Sequence, residues 1–107
     1  MADILTLEEL LKPDNEQFDF IAESWGRKRI ILRKARVADV EKARVAARGQ
    51  DGKFNNAVFQ CVLFALCSVN PKIPEIEAGK LQEKSALEIE RAFRAIMGEE
   101  QKSLPLP

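Results

Sequence analysis

The run from Phe54 to Cys67 constrains this chain most, because its apolar residues surround most of a helix. Two groups of these residues lie on different sides: Val58, Cys61, Val62 and Ala65 on one, and Phe59, Leu63 and Leu66 on the other. A helix that is apolar over so much of its circumference has to be buried on several sides. In a chain of 107 residues, this predicts either one core built around a central helix or a helix shared with another subunit.

The apolar stretch Ala57–Val69 is interrupted by Gln60 and Ser68, and Pro71 and Pro74 follow it closely. It is shorter than the roughly 20 residues that span a bilayer, so we expect no membrane insertion. The N-terminus carries acidic residues where a secretion signal needs basic ones. These features predict a cytoplasmic protein.

Two runs with a two-residue period predict a β-hairpin over residues 17–34. Phe18 and Phe20 alternate with polar or outward-facing neighbours, and Ile30 and Leu32 do the same, while Gly26 lies where the chain must reverse. An isolated hairpin is marginal in water. We therefore expect this one to pack on helices or to pair with another subunit.

Capping signals mark the helix ends. Thr6–Glu9 and Ser85–Glu88 each match a capping box at the start of a helix. Gly98 lies where the last helix should stop, and Gly49 lies where a helix from about 37 to 48 would be capped. The pattern predicts a short N-terminal helix that Pro13 ends, and longer helices further along the chain.

Together these elements predict a mainly α (α+β) fold. The N-terminal hairpin is followed by three or four helices packed as one domain over residues 1–98. Residues 75–84 are polar and are expected to form a weak helix or a loop. Residues 99–107 lack periodicity and end in Leu-Pro-Leu-Pro, so we expect a mobile C-terminal tail.

The chain lacks the residue sets that most enzymes need. It contains no histidine, the commonest general base and metal ligand near neutral pH. Its two cysteines, Cys61 and Cys67, point to roughly opposite faces of a helix, which favours free buried thiols over a disulfide. No glycine-rich phosphate loop is present. We therefore expect no catalysis, no cofactor and no metal site.

The charges do not favour nucleic acid. There are 17 basic and 17 acidic residues, so no net attraction to phosphate exists. One basic run has six positive residues in ten, beside Trp25: Arg27, Lys28, Arg29, Arg33, Lys34 and Arg36. It is interpreted as a solvated hairpin whose charges discourage edge pairing, with an anionic protein partner or nucleic acid as the alternatives.

Apolar surface is the remaining candidate for function. Two helices carry large apolar residues that fit either the core or a partner-binding face: Phe59 and Leu63 on the central helix, and Phe93, Ile96 and Met97 on the last one. These five residues are the predicted partner-binding set. The alternative is that the same side chains form the core contact between the last helix and the central helix.

The order of elements, and one short motif, resemble a known family. Cys67 near the end of the apolar helix is followed by Asn70-Pro71-Lys72, and a final helix closes on Gly98. Over roughly residues 18–98 this resembles the tail assembly chaperones of long-tailed bacteriophages and prophages.

The resemblance implies a self-associating factor of the host cytoplasm, absent from the finished virion. Such a factor binds the tape measure protein, and possibly the tail tube protein, and keeps the tape measure protein soluble until the tail tube polymerises around it. Two alternatives remain open: a small regulatory or antitoxin-like module, and a structural tail or head-tail connector subunit.

Overall fold

The computed structural model describes residues 3–98, and it confirms an α+β fold with an N-terminal hairpin followed by helices. The elements in chain order are α1 (Leu7–Leu11), β1 (Gln17–Ala22), a short 3-10 turn (Glu23–Trp25), β2 (Lys28–Arg33), α2 (Val37–Ala47), α3 (Asn56–Cys67), β3 (Ser68–Asn70), a 3-10 helix (Glu75–Glu83) and α4 (Ala86–Ile96). The predicted tail, 99–107, lies outside the described residues.

The hairpin forms as its alternation predicts. β1 and β2 are antiparallel with Phe18 opposite Leu32 and Phe20 opposite Ile30. Gly26 closes the turn with φ +79°, a left-handed conformation that favours glycine. The inward side of the hairpin is buried in the core through Phe20, Ala22 and Leu32. This burial supplies the stability that an isolated hairpin lacks in water.

A third strand, β3, was not predicted. It pairs antiparallel with β2, placing Ser68 opposite Leu32 and Asn70 opposite Ile31 around an irregularity in register. The Ser68 hydroxyl donates to the carbonyl oxygen of Pro71, and the Asn70–Pro71 peptide bond is cis. The motif after Cys67 therefore builds the sheet edge and its exit turn, where the sequence indicated only a break in the helix.

The central position predicted for α3 is confirmed. It packs on α2, on α4 and on the 3-10 helix, which explains why it is apolar on several sides. Leu63 and Phe64 are both buried, and the Phe64 ring meets the ring of Trp25 at 6.1 Å from the hairpin turn. The helix is thus the common partner of most other elements.

Gly49 is not the cap of α2, contrary to expectation. The helix ends at Ala47, and Arg48 leaves it in an extended conformation to form a β-bridge with Phe54. The Asn55 N–H then donates to Ala47 O at 2.9 Å, and Gly52, with φ +81°, makes the reversal. The left-handed glycine is therefore Gly52 and not Gly49, because the chain reverses in the middle of the loop and not at the end of the helix.

The second capping box forms only by half. Ser85 caps α4 through its hydroxyl, which accepts from the Glu88 N–H, and Gly98 ends the helix with φ +84° as predicted. The Glu88 carboxylate does not turn back to the cap. It accepts from the Ser24 N–H at 2.7 Å and pairs with Arg91, which ties α4 to the hairpin turn.

Candidate partner-binding surface

A line of four apolar side chains, the surface stripe, runs from the start of α3 to the end of α4: Phe54, Phe59, Phe93 and Met97. The ring centroids of Phe54 and Phe59 are 5.5 Å apart, and those of Phe59 and Phe93 are 5.8 Å apart. Phe54 is 50% exposed, Met97 is 41% exposed, and the two rings between them are half-buried. The stripe is therefore continuous and accessible along one face.

Local sequence positions its first two rings. Asn55 caps α3, its side-chain oxygen accepting from the Val58 N–H at 3.2 Å. Phe54 precedes this cap and Phe59 is the fourth residue of the helix, which are the two positions of a hydrophobic staple. Their ring contact matches that staple, and the bridge from Arg48 to Phe54 holds the staple from the other side.

The last helix supplies the other half of the stripe. The Phe93 ring meets Phe59 edge-on at an interplanar angle of 69°, a favoured aromatic geometry. The Met97 N–H donates to Phe93 O at 3.0 Å, so Met97 lies one turn further along the same face. A flexible thioether at the end of a line of rings adapts readily to different partners.

The predicted partner-binding residues therefore divide into two groups. Phe59, Phe93 and Met97 come together in the surface stripe. Leu63 and Ile96 are 0% and 1% exposed, so both belong to the core, and their prediction as partner-binding residues is wrong. They point inward because α3 and α4 pack on each other through these faces.

Phe54 is the stripe residue that the predicted set missed. In the sequence it appears only as the first residue of the apolar run that ends at Cys67. The signal that identifies it is the staple pattern around Asn55, since a residue before the cap lies outside the helix and remains half exposed. Phe64, by contrast, is a core residue.

The basic run does not form a continuous positive surface. Arg27 pairs with Glu23 at 2.7 Å and Arg29 with Asp19 at 3.7 Å. The Arg36 Nε donates to the carbonyl oxygen of Asp14 at 2.7 Å. Acidic or carbonyl oxygens thus already occupy much of the run, as expected for a solvated hairpin.

One member of that run is structural. Arg33 makes two hydrogen bonds to Asp39, at 2.6 and 3.0 Å, and donates to Leu66 O at 3.1 Å, so that it joins β2, α2 and α3. The Arg33 hydrogen bonds hold the pKa of the Asp39 carboxyl below its ordinary value, and Asp39 in turn raises the pKa of Arg33. A guanidinium committed in this way is poorly placed to bind phosphate.

The two thiols are buried and unpaired with each other. Burial raises the pKa of Cys61, and it raises the pKa of Cys67 to about 12. A thiol with a raised pKa is almost entirely protonated near neutral pH and is a poor nucleophile. Within residues 3–98, no group of three or more acidic or cysteine side chains is arranged to hold a metal ion.

A cavity of about 460 Å³ opens beside β3, lined by Arg33, Ser68, Lys72 and Glu75 among others. Several of its polar groups are already engaged. Arg33 binds Asp39, the Ser68 hydroxyl binds Pro71 O, and Glu75 lies 3.7 Å from Lys42. Of its polar lining residues, Gln17 and Lys72 remain beside these engaged groups, and the surface stripe is the stronger candidate.

Comparison with known proteins adds no relative. No protein-family model matches this sequence, and no curated protein or solved structure is significantly similar to it. No helix in the described part of the chain is long and apolar enough to cross a membrane. The surface stripe is therefore the feature of this molecule that bears on its function.

Proposed function

We propose that this protein is an assembly chaperone that binds another polypeptide through the surface stripe. The observation that carries the proposal is the stripe of connected, half-exposed rings on a small domain. Contiguous exposed apolar surface on a soluble domain marks an interaction site more often than isolated apolar residues do. Aromatic side chains and methionine are also the residues enriched in such interfaces.

The spacing of the stripe, which is that of packed aromatic rings, is compatible with a helical partner. Successive ring centroids, 5.5 and 5.8 Å apart, are separated by about the 5.4 Å rise of one helical turn. An amphipathic helix laid along the stripe therefore places one apolar side chain per turn between successive rings. This is the helix-in-groove mode of recognition.

The specific client we propose is the tape measure protein of a long-tailed phage. A long helical protein exposes the same apolar pattern many times along its length. Many copies of one modest site then bind by avidity, which suits a small self-associating domain. The resemblance around Cys67 and Asn70-Pro71-Lys72 supports this client, with the tail tube protein as a second partner and the bacterial cytoplasm as the place of action.

The regulatory, DNA-binding alternative is less well supported. The basic run that suggested it is largely occupied by Glu23, Asp19, Asp39 and Asp14 oxygens. A DNA-binding surface needs several unengaged cations facing one way, because affinity comes from neutralising phosphates. We therefore propose protein binding and no nucleic-acid partner.

The test is co-expression with a candidate tape measure protein. With the wild-type chain, the tape measure protein is expected to move from the pellet to the soluble fraction and to co-purify. Phe54→Ala and Met97→Ala should each reduce the co-purified amount several-fold, because each removes exposed contact area without opening the core.

Ile76→Ala is the matched control, since Ile76 is 89% exposed and outside the stripe. It should behave as the wild type does. A tape measure protein whose solubility is the same with and without this chain would refute the client. Recovery of the chain in purified, finished phage particles would instead favour a structural connector subunit.

A further inference from the structure

The N-terminal arm, residues 3–12, exposes a second set of large apolar side chains. Five of them are between 58% and 93% exposed: Ile4, Leu5, Leu7, Leu10 and Leu11. No residue of α1 is buried. So much aliphatic surface on ten residues is costly in water unless something covers it.

The arm is nevertheless a defined helical turn. The Thr6 N–H donates to the Glu9 carboxylate at 2.9 Å, and the Glu9 N–H donates to the Thr6 hydroxyl at 3.1 Å. This complete capping box sets the start of α1 without any help from the core. The arm is thus a preformed amphipathic turn with no partner surface within its own described chain.

We propose that the arm of one copy docks on the surface stripe of a second copy, and reciprocally, in a two-fold dimer. This inference rests on the stripe being a protein-binding site, as proposed above. It adds that the arm occupies that site before the client does. A client helix would then have to displace the arm.

Geometry supports this occupant. Leu7 and Leu11 lie one helical turn apart on α1, and the stripe rings are spaced by about one turn. The arm therefore presents the pattern that the stripe is expected to bind in a client.

Charge also supports it. The arm carries Glu8 and Glu9 beside its leucines, while the Phe54 end of the stripe has Arg48 as its bridge partner and Lys53 as its sequence neighbour, both exposed. Asp51 lies in the same loop, so this end of the stripe carries a net charge of about +1, and an arm laid with Glu8 towards it brings opposite charges together. An anionic membrane surface would instead repel the acidic arm, which argues against a lipid occupant.

The anchoring of the arm favours a second copy over its own stripe. The Arg36 side chain binds Asp14 O at 2.7 Å and the Asn15 side chain at 3.4 Å. These two bonds fix the base of the arm only a few residues after α1. With its base held, the exposed arm projects from its own domain and is available to a neighbour.

The contact area predicts a weak dimer. Burial of one leucine or isoleucine side chain removes on the order of 100 Å² from water. If roughly half of each arm's five side chains face the stripe and an equal area of the stripe is covered, the two contacts of a two-fold dimer bury about 1,000 Å² in total, near the lower limit for a specific interface. An interface of this size is expected to be weak and reversible, which would leave the arm displaceable by a multivalent client.

The experiment measures the oligomeric state of the purified full chain by sedimentation velocity between about 1 and 500 μM, without any client. The wild type is expected to show a reversible monomer–dimer equilibrium. Leu7→Glu with Leu11→Glu on the arm, and Phe54→Glu on the stripe, should each raise Kd at least about a hundredfold, because the two-fold axis makes each substitution act at both contacts and each lost contact costs about tenfold. Ile76→Glu is the control and should leave Kd unchanged.

Mixing identifies the pairing. The arm variant keeps an intact stripe and the stripe variant keeps an intact arm, so an equimolar mixture keeps one of the two contacts and should associate more weakly than the wild type but more strongly than either variant alone. Circular dichroism must show the wild-type helix content for each variant, and Met97→Glu replaces Phe54→Glu if that substitution disturbs the staple.

Three results would overturn the inference. They are a wild type that stays monomeric at about 500 μM, a dimer that the arm substitutions leave intact, and a mixture that associates no more strongly than either variant alone. None of them depends on the tape measure protein, so a monomeric chain that still solubilises it would refute the arm contact and leave the chaperone function standing. A dimer that forms as expected but does not solubilise the tape measure protein would support the arm contact and refute the chaperone function.

Discussion

Glu88 offers the sharpest test of how this fold is held together. Its carboxylate is 1% exposed and accepts from the Ser24 N–H, 64 residues away, at 2.7 Å while it also pairs with Arg91. Burial by itself would raise the pKa of Glu88, but the Ser24 hydrogen bond and the Arg91 charge outweigh it and lower that pKa. The charged carboxylate is therefore the form that stabilises the fold.

The magnitude follows from these contacts. Glu88→Ala removes a hydrogen bond to a charged acceptor, worth about 1.5–3 kcal/mol. It also removes an ion pair whose Arg91 partner is one-third exposed, which adds only about 0.5 kcal/mol after solvent screening. We expect the free energy of unfolding to fall by roughly 2–3 kcal/mol. Glu88→Gln, which keeps a neutral acceptor for Ser24, should cost about half as much.

The assay is urea unfolding followed by circular dichroism at pH 7, repeated down to about pH 3. Because the pKa of Glu88 is lower in the folded state, its stabilisation is fully present above the ordinary value of 4.5. It is lost as the pH falls through the folded-state pKa. The difference between wild type and Glu88→Gln should therefore shrink in acid.

Glu90→Ala is the matched control, because Glu90 lies on the same helix and pairs with Arg94 at the surface. It should cost no more than about 0.5 kcal/mol. If Glu88→Ala were as mild as this control, the carboxylate would not be the link between α4 and the hairpin turn. A Glu88→Gln difference independent of pH would refute the charge argument as well.

Three further predictions concern the core. Leu63→Ala should lower the free energy of unfolding by about 3–5 kcal/mol in urea titrations, since Leu63 is fully buried in the most enclosed helix; a loss below 1 kcal/mol would contradict its core position. Asp39→Asn should destabilise the fold at pH 7 by about 1–3 kcal/mol through its bonds to Arg33. The stability difference between wild type and Asp39→Asn should diminish as the pH falls below 3.8, because the pKa of Asp39 is lowered in the folded state and its stabilisation is lost when the carboxylate is protonated. A stability difference that stays constant with pH would refute a stabilising role for the Asp39 charge. Cys61 and Cys67 should react with a thiol reagent at pH 8 at least about tenfold more slowly in the native chain than in urea, with their raised pKa values as the cause. Equal rates would show that neither thiol is protected.

Much of the architecture follows from the sequence by local rules. The hairpin from residues 17 to 34 is readable because alternation over each strand and Gly26 at the turn act within a few residues. The central helix is readable because its apolar residues surround it. The surface stripe is partly readable too, since the staple around Asn55 predicts the Phe54–Phe59 contact.

Other features required the tertiary structure. β3 is three residues long and exists because β2 offers it an edge, so no local pattern marks it. Glu88 matches a capping box in sequence, yet its carboxylate serves Ser24 on another element. Leu63 and Phe59 are equally apolar neighbours on one helix, and only the packing of α2 and α4 decides which is buried.

The physical reason is the range of the interactions. Capping, staples and periodicity depend on side chains within about one helical turn or one strand, so the amino-acid order alone determines them. Burial and the pairing of distant polar groups depend on which elements come into contact when the chain folds. Those contacts join residues far apart in sequence, so the local sequence does not specify them. Most helices and the hairpin of this protein were therefore determined by local sequence, whereas β3 and the division of the apolar residues between core and binding surface were decided by the way those elements pack.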